Sequence, residues 1–492
     1  MERVLRCSEM SARLVTRVIW ALFSSILIAG LIALLTAGCG KEPERPTNVL
    51  LLVVDTLRAD RLGCYGYPRA TSPNIDALAA RGTLYEKNYT QACWTVPSMI
   101  SMLAGVSVTQ EESVCPTEIP LLSEVLAKQG LETIGFPANA VLCNKRGFER
   151  GFETWSEAPN VDAVELARRF SLWHGARSHV AGKARPWFAW LQFIDPHQPY
   201  EPRPEHDLFH GPRPDQERVS ARWKAAQGEA TERSQNLSGR NLDDAIDWMT
   251  QKSNLYDGEV RASDDGVGRV LETLKAAGEL ENTLVILVAD HGEMIYEHRV
   301  QPYLIKDRID RTGGLPDGVA DLFGNGHRPW YFENLWNTPM ILAGPGIPAG
   351  KRVDSLCANL DVYPTVLEAL DLPRTKWLEG ESLFGGATTV RDKVLAHAYF
   401  TSAVREKAGL KLIEYWPRLF LLEETADKPK ALYDLGKDPF EDVEISAQRP
   451  EQVSRLHDEI EAWKKRAERS AITTNTDAQH KVMEQMGYVD GK

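Results

Sequence analysis

The chain is poor in cysteine and has no C-x-x-C pair, so neither a zinc knuckle nor a redox dithiol fits it. Cys7 and Cys39 belong to the N-terminal segment, which leaves Cys64, Cys93, Cys115, Cys143 and Cys357. An odd set leaves at least one free thiol, and an oxidising compartment would allow one disulfide within the 93–143 region. Positive charge is also short. Against 69 Asp/Glu stand 57 Lys/Arg, a formal net charge of −12, which argues against nucleic acid as a partner. No internal repeat marks a solenoid. What remains is a chain of 492 residues, 43% hydrophobic, long enough to bury a large core.

One long apolar run is present, Val18 to Ala37, preceded by Arg3, Arg6, Arg13 and Arg17. Its roughly 20 residues would span about 30 Å as a helix, enough to cross a bilayer, with the basic flank on the cytoplasmic side. The run ends Leu35-Thr36-Ala37-Gly38-Cys39, and a polar tether follows. Small residues before a cysteine resemble a bacterial lipoprotein cleavage box, with Cys39 lipidated; the alternative is an uncleaved signal anchor. Either reading expects a membrane-tethered protein in the periplasm or at the cell surface. Residues 1–38 are then a leader and 39–47 a tether.

Beyond the tether, apolar strands alternate with helices. Asn48–Val54, Glu132–Phe136, Trp187–Phe193, Thr283–Ala289 and Thr338–Leu342 read as buried strands. Helices are expected from Pro73, capped by Ser72, and over 120–129, 254–278 and 360–370. This rhythm predicts an α/β fold, a doubly wound and mainly parallel sheet with helices on both faces. From about Arg391 the pattern shifts to short β-like runs and a charged helix over 450–469. The expected organisation is a domain over 48–390, with excursions at 201–253 and 296–325, and a small C-terminal α+β subdomain over 391–492.

Asp55 and the pair Asp290-His291 stand at carboxyl ends of strands, where open parallel sheets bind ligands. Two carboxylates and an imidazole suit a divalent metal, although a lone strand-end Asp is more often a cap or turn former. In Trp94-Thr95-Val96-Pro97-Ser98, Pro97 fits a first helical turn, so Thr95 is placed just before a helix N-terminus. It is either a nucleophile in that field or simply an N-cap.

Blocks such as NVLLLVVDTLRADRLGCYGY, WTVPSMISMLAG, WFAWLQFIDPHQPY, NTLVILVADHGE and LDVYPTVLEALDLP occur in one collinear order from about Thr47 to Lys465. Together they resemble the sulfatase family of the alkaline phosphatase superfamily. The resemblance places Thr95 at the nucleophile position and Asp55, Asp290 and His291, with Thr95, at metal-ligand positions. It places His197 and His327 against the substrate or leaving group, His197 otherwise being a loop histidine bonded to backbone. Asn139 is a polar substrate-binding candidate in a segment that lacks the family's usual lysine and histidine.

Departures are informative. Standard sulfatases oxidise a cysteine or serine to formylglycine; Thr95 cannot yield that aldehyde, and Met99 stands where the family has arginine. Formylglycine is therefore not expected. Cys93 is out of register and reads as packing, and Thr56 replaces the second strand-end aspartate. The set lies closer to threonine-nucleophile relatives such as phosphoglycerol transferases. Zinc or manganese suits these donors better than calcium, because an imidazole replaces an oxygen. The implied activity is hydrolysis or transfer of sulfate or phosphate esters, on a small-molecule, glycan or lipid-headgroup substrate. The competing reading is a catalytically weak surface-binding lipoprotein.

Overall fold

The computed structural model describes residues 44–470, apart from 109–113, 144, 178, 181–182, 234–240, 300–314, 316, 328–329, 399–400 and 416–429. The apolar run 18–37, Cys39, and most of the 296–325 excursion (300–314 and 316) lie outside the described residues. Among the described residues no helix is long and apolar enough to cross a membrane.

The central sheet is built from β1 (Asn48–Val54), β2 (Thr83–Tyr89), β3 (Glu132–Pro137), β4 (Thr154–Trp155), β5 (Trp187–Phe193) and β6 (Thr283–Ala289). After β7 (Met294–Arg299) and β8 (Phe323–Gly326), which pair as a separate hairpin, come two more central strands, β9 (Asn337–Ala343) and β10 (Lys351–Ala358). The order across the eight strands is β10-β2-β9-β6-β1-β5-β3-β4. Only β9 runs against the rest, antiparallel to both β2 and β6. Every residue of β1, β5 and β6 is buried, as near-continuous apolar runs require when helices cover both faces. The two faces form separate cores, one through Leu51, Val53 and Trp190 and the other through Leu50, Leu52 and Leu191.

On one face lies α2 (Thr95–Ala104), after α1 (Pro73–Ala80) on the other. Short α3 (Leu122–Lys128) precedes α4 (Ala163–Ala176), which packs against the long α6 (Leu242–Ala276), and α5 (Gln216–Arg233) and α7 (Val362–Ala369) are further helices of the main domain. Three local expectations change. Ser72 does not cap α1 with its side chain, because its hydroxyl receives Gly63 N–H and bonds Asp76. Thr95 is the first residue of α2 rather than the one before it, with Trp94 at the cap position. And α6 begins at Leu242, twelve residues before the expected start, capped by Asn241.

That last shift reshapes the 201–253 excursion. Its two helical stretches are not a surface appendage: Val219, Trp223 and Ala226 enter the core, and Arg213 is fully buried. Their polar sequence hid this, since only one narrow stripe of α5 is apolar.

The C-terminal strands β11 (Lys393–Ala398), β12 (Thr401–Glu406), β13 (Leu410–Glu414) and β14 (Lys430–Asp434) form an antiparallel sheet, followed by α8 (Pro450–Ser470). One face of this sheet joins the main core through Ala396, Ala403 and Ile413. The other packs Val404, Leu412 and Leu432 against Leu456 and Ile460 of α8. Lys411, fully buried, bonds Glu333 at 3.0 Å and also Glu441, tying this sheet to the main domain. The five described cysteines are all free. The disulfide that an oxidising compartment would allow within 93–143 does not form; Cys93 and Cys115 are core packing, and the Cys143 thiol faces the carbonyls of Pro137 and Asn139.

Candidate active site

With β1, β6, β5, β3 and β2 all pointing one way, their carboxyl ends share one edge of the sheet. Asp55 follows β1, Asp290 and His291 follow β6, Asn139 follows β3, and His197 follows β5. Thr95 arrives on the connection after β2. This is the crevice where doubly wound sheets bind ligands.

Side-chain anchors fix the geometry. Ser98, one turn into α2, donates to the Asp290 carbonyl at 2.6 Å and pairs with Thr90 at 2.8 Å. This sets the N-terminus of α2 beside β6. The turn after β1 is held in the left-handed region at Thr56 (φ 54°), whose carbonyl accepts from Tyr256 of α6 at 2.7 Å. That turn aims Thr56 N–H at Asp290 Oδ1, 3.2 Å away. Gly292 lies against the Asn334 backbone, where an added Cβ would collide with the carbonyl, so the turn after His291 requires glycine.

Asp55, Asp290 and His291 are fully buried, and their ligating atoms lie within 4.8 Å of one another. Thr95 Oγ1 is 3.5 Å from Asp55 Oδ2 and 3.4 Å from His291 Nε2. Asn139 Nδ2 donates to Asp55 Oδ2 at 2.6 Å and reaches Thr95 Oγ1 at 3.3 Å. His291 Nδ1 lies 2.9 Å from the Gly292 carbonyl. A carbonyl can only accept, so Nδ1 carries the proton and Nε2 presents a lone pair to the cluster. His197 is set the same way, with Nδ1 2.6 Å from the Gln198 carbonyl. The His327 ring stands 4.8 Å from that of His197 and 4.7 Å from that of His291. All seven sequence-predicted site residues from the described part of the chain thus meet in one place.

The electrostatics of the cluster are unbalanced. Burial, and then the charge of Asp290, raise the Asp55 carboxyl above its ordinary range. Burial pushes Asp290 up to about 7, and holds His291, next to His327, down at about 3. Asp55 Oδ1 and Asp290 Oδ2 are buried and accept no hydrogen bond among the described residues. Two orphaned carboxylate oxygens beside an uncharged imidazole lone pair are the donor set a divalent cation needs, so the residues present fit one.

Two polar residues escaped the sequence reading. Gln192 donates to Asp55 at 3.4 Å, and it is the one polar residue in the run WFAWLQF, a signal that could have found it. Glu293 is fully buried, sits 3.4 Å from His327 Nδ1, and is pushed up to about 7 by burial. It is the last residue of Asp290-His-Gly-Glu293, and nothing in the local pattern says that it turns inward. From Thr95 a cleft of about 430 Å³ opens past His197, Asn160 and Trp94 to Asp195 and Glu259. Burial and the neighbouring Asp195 push Glu259 up to about 8.

The fold is a doubly wound, mainly parallel α/β sheet with the buried polar cluster at its carboxyl edge. The Sulfatase family model matches residues 47–372, and the chain belongs to that family of ester hydrolases. It is 24% identical to the choline-sulfatase of Rhizobium meliloti over 457 residues, covering 80% of this chain and 81% of that protein. It is also 24% identical to human (Homo sapiens) arylsulfatase A, covering 84% and 86%. Among solved structures, a complex with D-glucosamine-2-N,6-O-disulfate superposes with a TM-score of 0.65 at 18% identity, covering 86% of this chain and 98% of the other. The phosphonate monoester hydrolase of Agrobacterium radiobacter superposes at 0.62 with 20% identity, covering 86% and 96%.

Proposed function

We propose that the protein hydrolyses sulfate or phosphate esters through a covalent intermediate on Thr95, with the cluster Asp55, Asp290, His291 and Thr95 holding a divalent cation, zinc or manganese before calcium. The observation that carries this reading is the Thr95 hydroxyl, buried at a helix N-terminus within 3.5 Å of both a carboxylate and an imidazole lone pair. When bound there, the cation supplies charge that lowers the hydroxyl pKa and balances the transferred group.

The chain's own residues account for the rest. Asp55 Oδ2, 3.5 Å from the Thr95 hydroxyl, takes its proton. Oγ1 attacks sulfur or phosphorus, and the bond to the leaving oxygen breaks as that oxygen takes a proton from His197. Burial opposes a charge on His197, but in the metal-free protein Asp55 and Glu293 outweigh it and raise its pKa. Attack by water on the Thr95 ester then frees the acid anion and restores the hydroxyl. Asn139 orients both Asp55 and Thr95.

The cleft mixes Asn160, Asp162, Asp195 and Glu201 with Trp94, Val141, Ile194 and Pro199, and its polar groups offer partners for the hydroxyls of a sugar or headgroup alcohol. Structural neighbours solved with a sulfated glucosamine and with a neocarrahexaose point the same way. The arginine-flanked run and Leu-Thr-Ala-Gly-Cys39 support a membrane-tethered protein outside the cytoplasm. An unchanged mass and unchanged membrane association in Cys39→Ala would reject the lipid anchor.

The reaction is tested with p-nitrophenyl sulfate, phosphate and phosphodiester substrates, with zinc, manganese or calcium added. Turnover together with a trapped Thr95 adduct in the mass spectrum is expected. Turnover by Thr95→Ala equal to that of the parent would remove the nucleophile from the mechanism.

A further inference from the structure

Far along the chain from this site, β13 and α8 bring together Glu414, His457 and Glu461, whose ligating atoms lie within 4.8 Å of one another. We propose that these three side chains form a second divalent-cation site, suited to zinc, that clamps α8 to the C-terminal sheet.

The placement follows from helical spacing. His457 and Glu461 are four residues apart on α8 and share one face. Leu456 and Ile460, one position earlier in each case, bury against Val404, Leu412 and Leu432. The hydrophobic contact therefore fixes where the imidazole and the carboxylate stand. Glu414 closes β13 from the sheet side and is itself buried.

A second observation points to a ligand. Glu414 Oε1 takes the His457 Nδ1 contact at 2.7 Å, but Oε2 is buried and accepts no hydrogen bond among the described residues. Leaving such an oxygen unsatisfied is costly, and a cation at this point would satisfy it. One imidazole and two carboxylates are a common zinc donor set, and their charge would neutralise a dication while leaving a position for water. The surroundings allow entry, since the His457 and Glu461 side chains are 32% and 35% exposed. Lys430, 4.0 Å from Glu414, and Lys464, 3.4 Å from Glu461, are the competing cations.

The test is zinc stoichiometry by equilibrium dialysis on the full chain, comparing the parent with Asp290→Asn, His457→Gln and Glu461→Gln. In the Asp290→Asn background one zinc should remain bound, and adding either His457→Gln or Glu461→Gln should remove it. Cobalt in the same background should give a visible d–d band that His457→Gln abolishes. Glu461→Gln guards against a folding defect, because its side chain is partly exposed and its removal leaves the apolar face of α8 intact. A stoichiometry unchanged by both substitutions, or no zinc bound in the Asp290→Asn background, would overturn the second site. Neither result depends on turnover, so failure here is distinguishable from failure of the Thr95 mechanism.

Discussion

Glu293 and Glu297 stand four residues apart, both buried, on opposite sides of an electrostatic divide. Glu297 is met by Arg58 at 2.8 Å, Arg213 at 2.5 Å and Arg61 at 3.3 Å. Burial opposes its charge, yet these three guanidinium groups hold it well below the usual carboxylate range. Glu293 and Asp290 are equally buried but are pushed up to about 7. Among the described residues, no lysine or arginine pairs with Asp55 or Asp290. Equal burial with different companions gives opposite shifts. In one cluster the chain supplies its own cations and gains a fixed structure. In the other it leaves carboxylates whose charge a bound cation would balance, which is what a site needs if it is to bind and act rather than only hold.

Removing the reactive group should have the largest effect. Thr95→Ala should lower kcat by roughly 10³-fold or more on every ester, with unchanged thermal unfolding, because its hydroxyl bonds nothing that holds the fold. Steady-state kinetics and a melting curve on one sample check both halves. Next comes His197→Gln. It should cost about 10²–10⁴-fold on esters of poor leaving alcohols, which need a proton, and far less on p-nitrophenyl esters, whose leaving group needs none. Equal losses on both would show that His197 positions substrate instead.

On the structural side of the divide, Glu297→Gln leaves three buried arginines short of charge. It should destabilise the fold by about 3–5 kcal/mol, read from denaturant unfolding. A loss under 1 kcal/mol would mean that Asp257 and Asp60 already carry the balance.

The smallest effect tests the divide by pH. Without metal, the raised Asp290 favours the folded state at low pH, and that contribution is lost as pH climbs from its ordinary 3.8 through about 7. The lowered Glu297 does the reverse: its contribution is present above the ordinary carboxylate pKa and is lost as pH falls through its lowered value. His291, held down at about 3, contributes in the opposite sense over the same window, so the Asp290 part is read as a difference: between about pH 4 and 7 the metal-free parent should lose a few degrees of melting temperature relative to Asp290→Asn. Added zinc should remove that difference. Identical pH slopes in parent and Asp290→Asn would show that Asp290 does not carry this pH dependence.

Much of this was readable without coordinates. Trp187–Phe193 and Thr283–Ala289 match the expected strands to the residue, because a strand buried on both faces must be a continuous apolar run, and Gly or charge ends it sharply. The strand ends in turn located Asp55, Asp290 and His291, since parallel order puts all carboxyl ends on one edge. Where polar residues enter the core the sequence was silent. The helix from Leu242 and the buried Arg213 and Trp223 lie in a stretch that reads as surface, because its apolar stripe is narrow and its charges find partners only across the fold.

The same limit separates Glu293 from Glu297. Local sequence gives each a glutamate near a strand, and nothing in either neighbourhood shows which will meet arginines. Those arginines come from positions 58, 61 and 213, more than 80 residues away in the chain. Periodicity and end signals are short-range, carried by pleat and turn within a few residues, and so they survive in the linear chain. Charge balance in a buried cluster depends on distances of a few ångströms between remote segments, and only the packed fold brings those segments together.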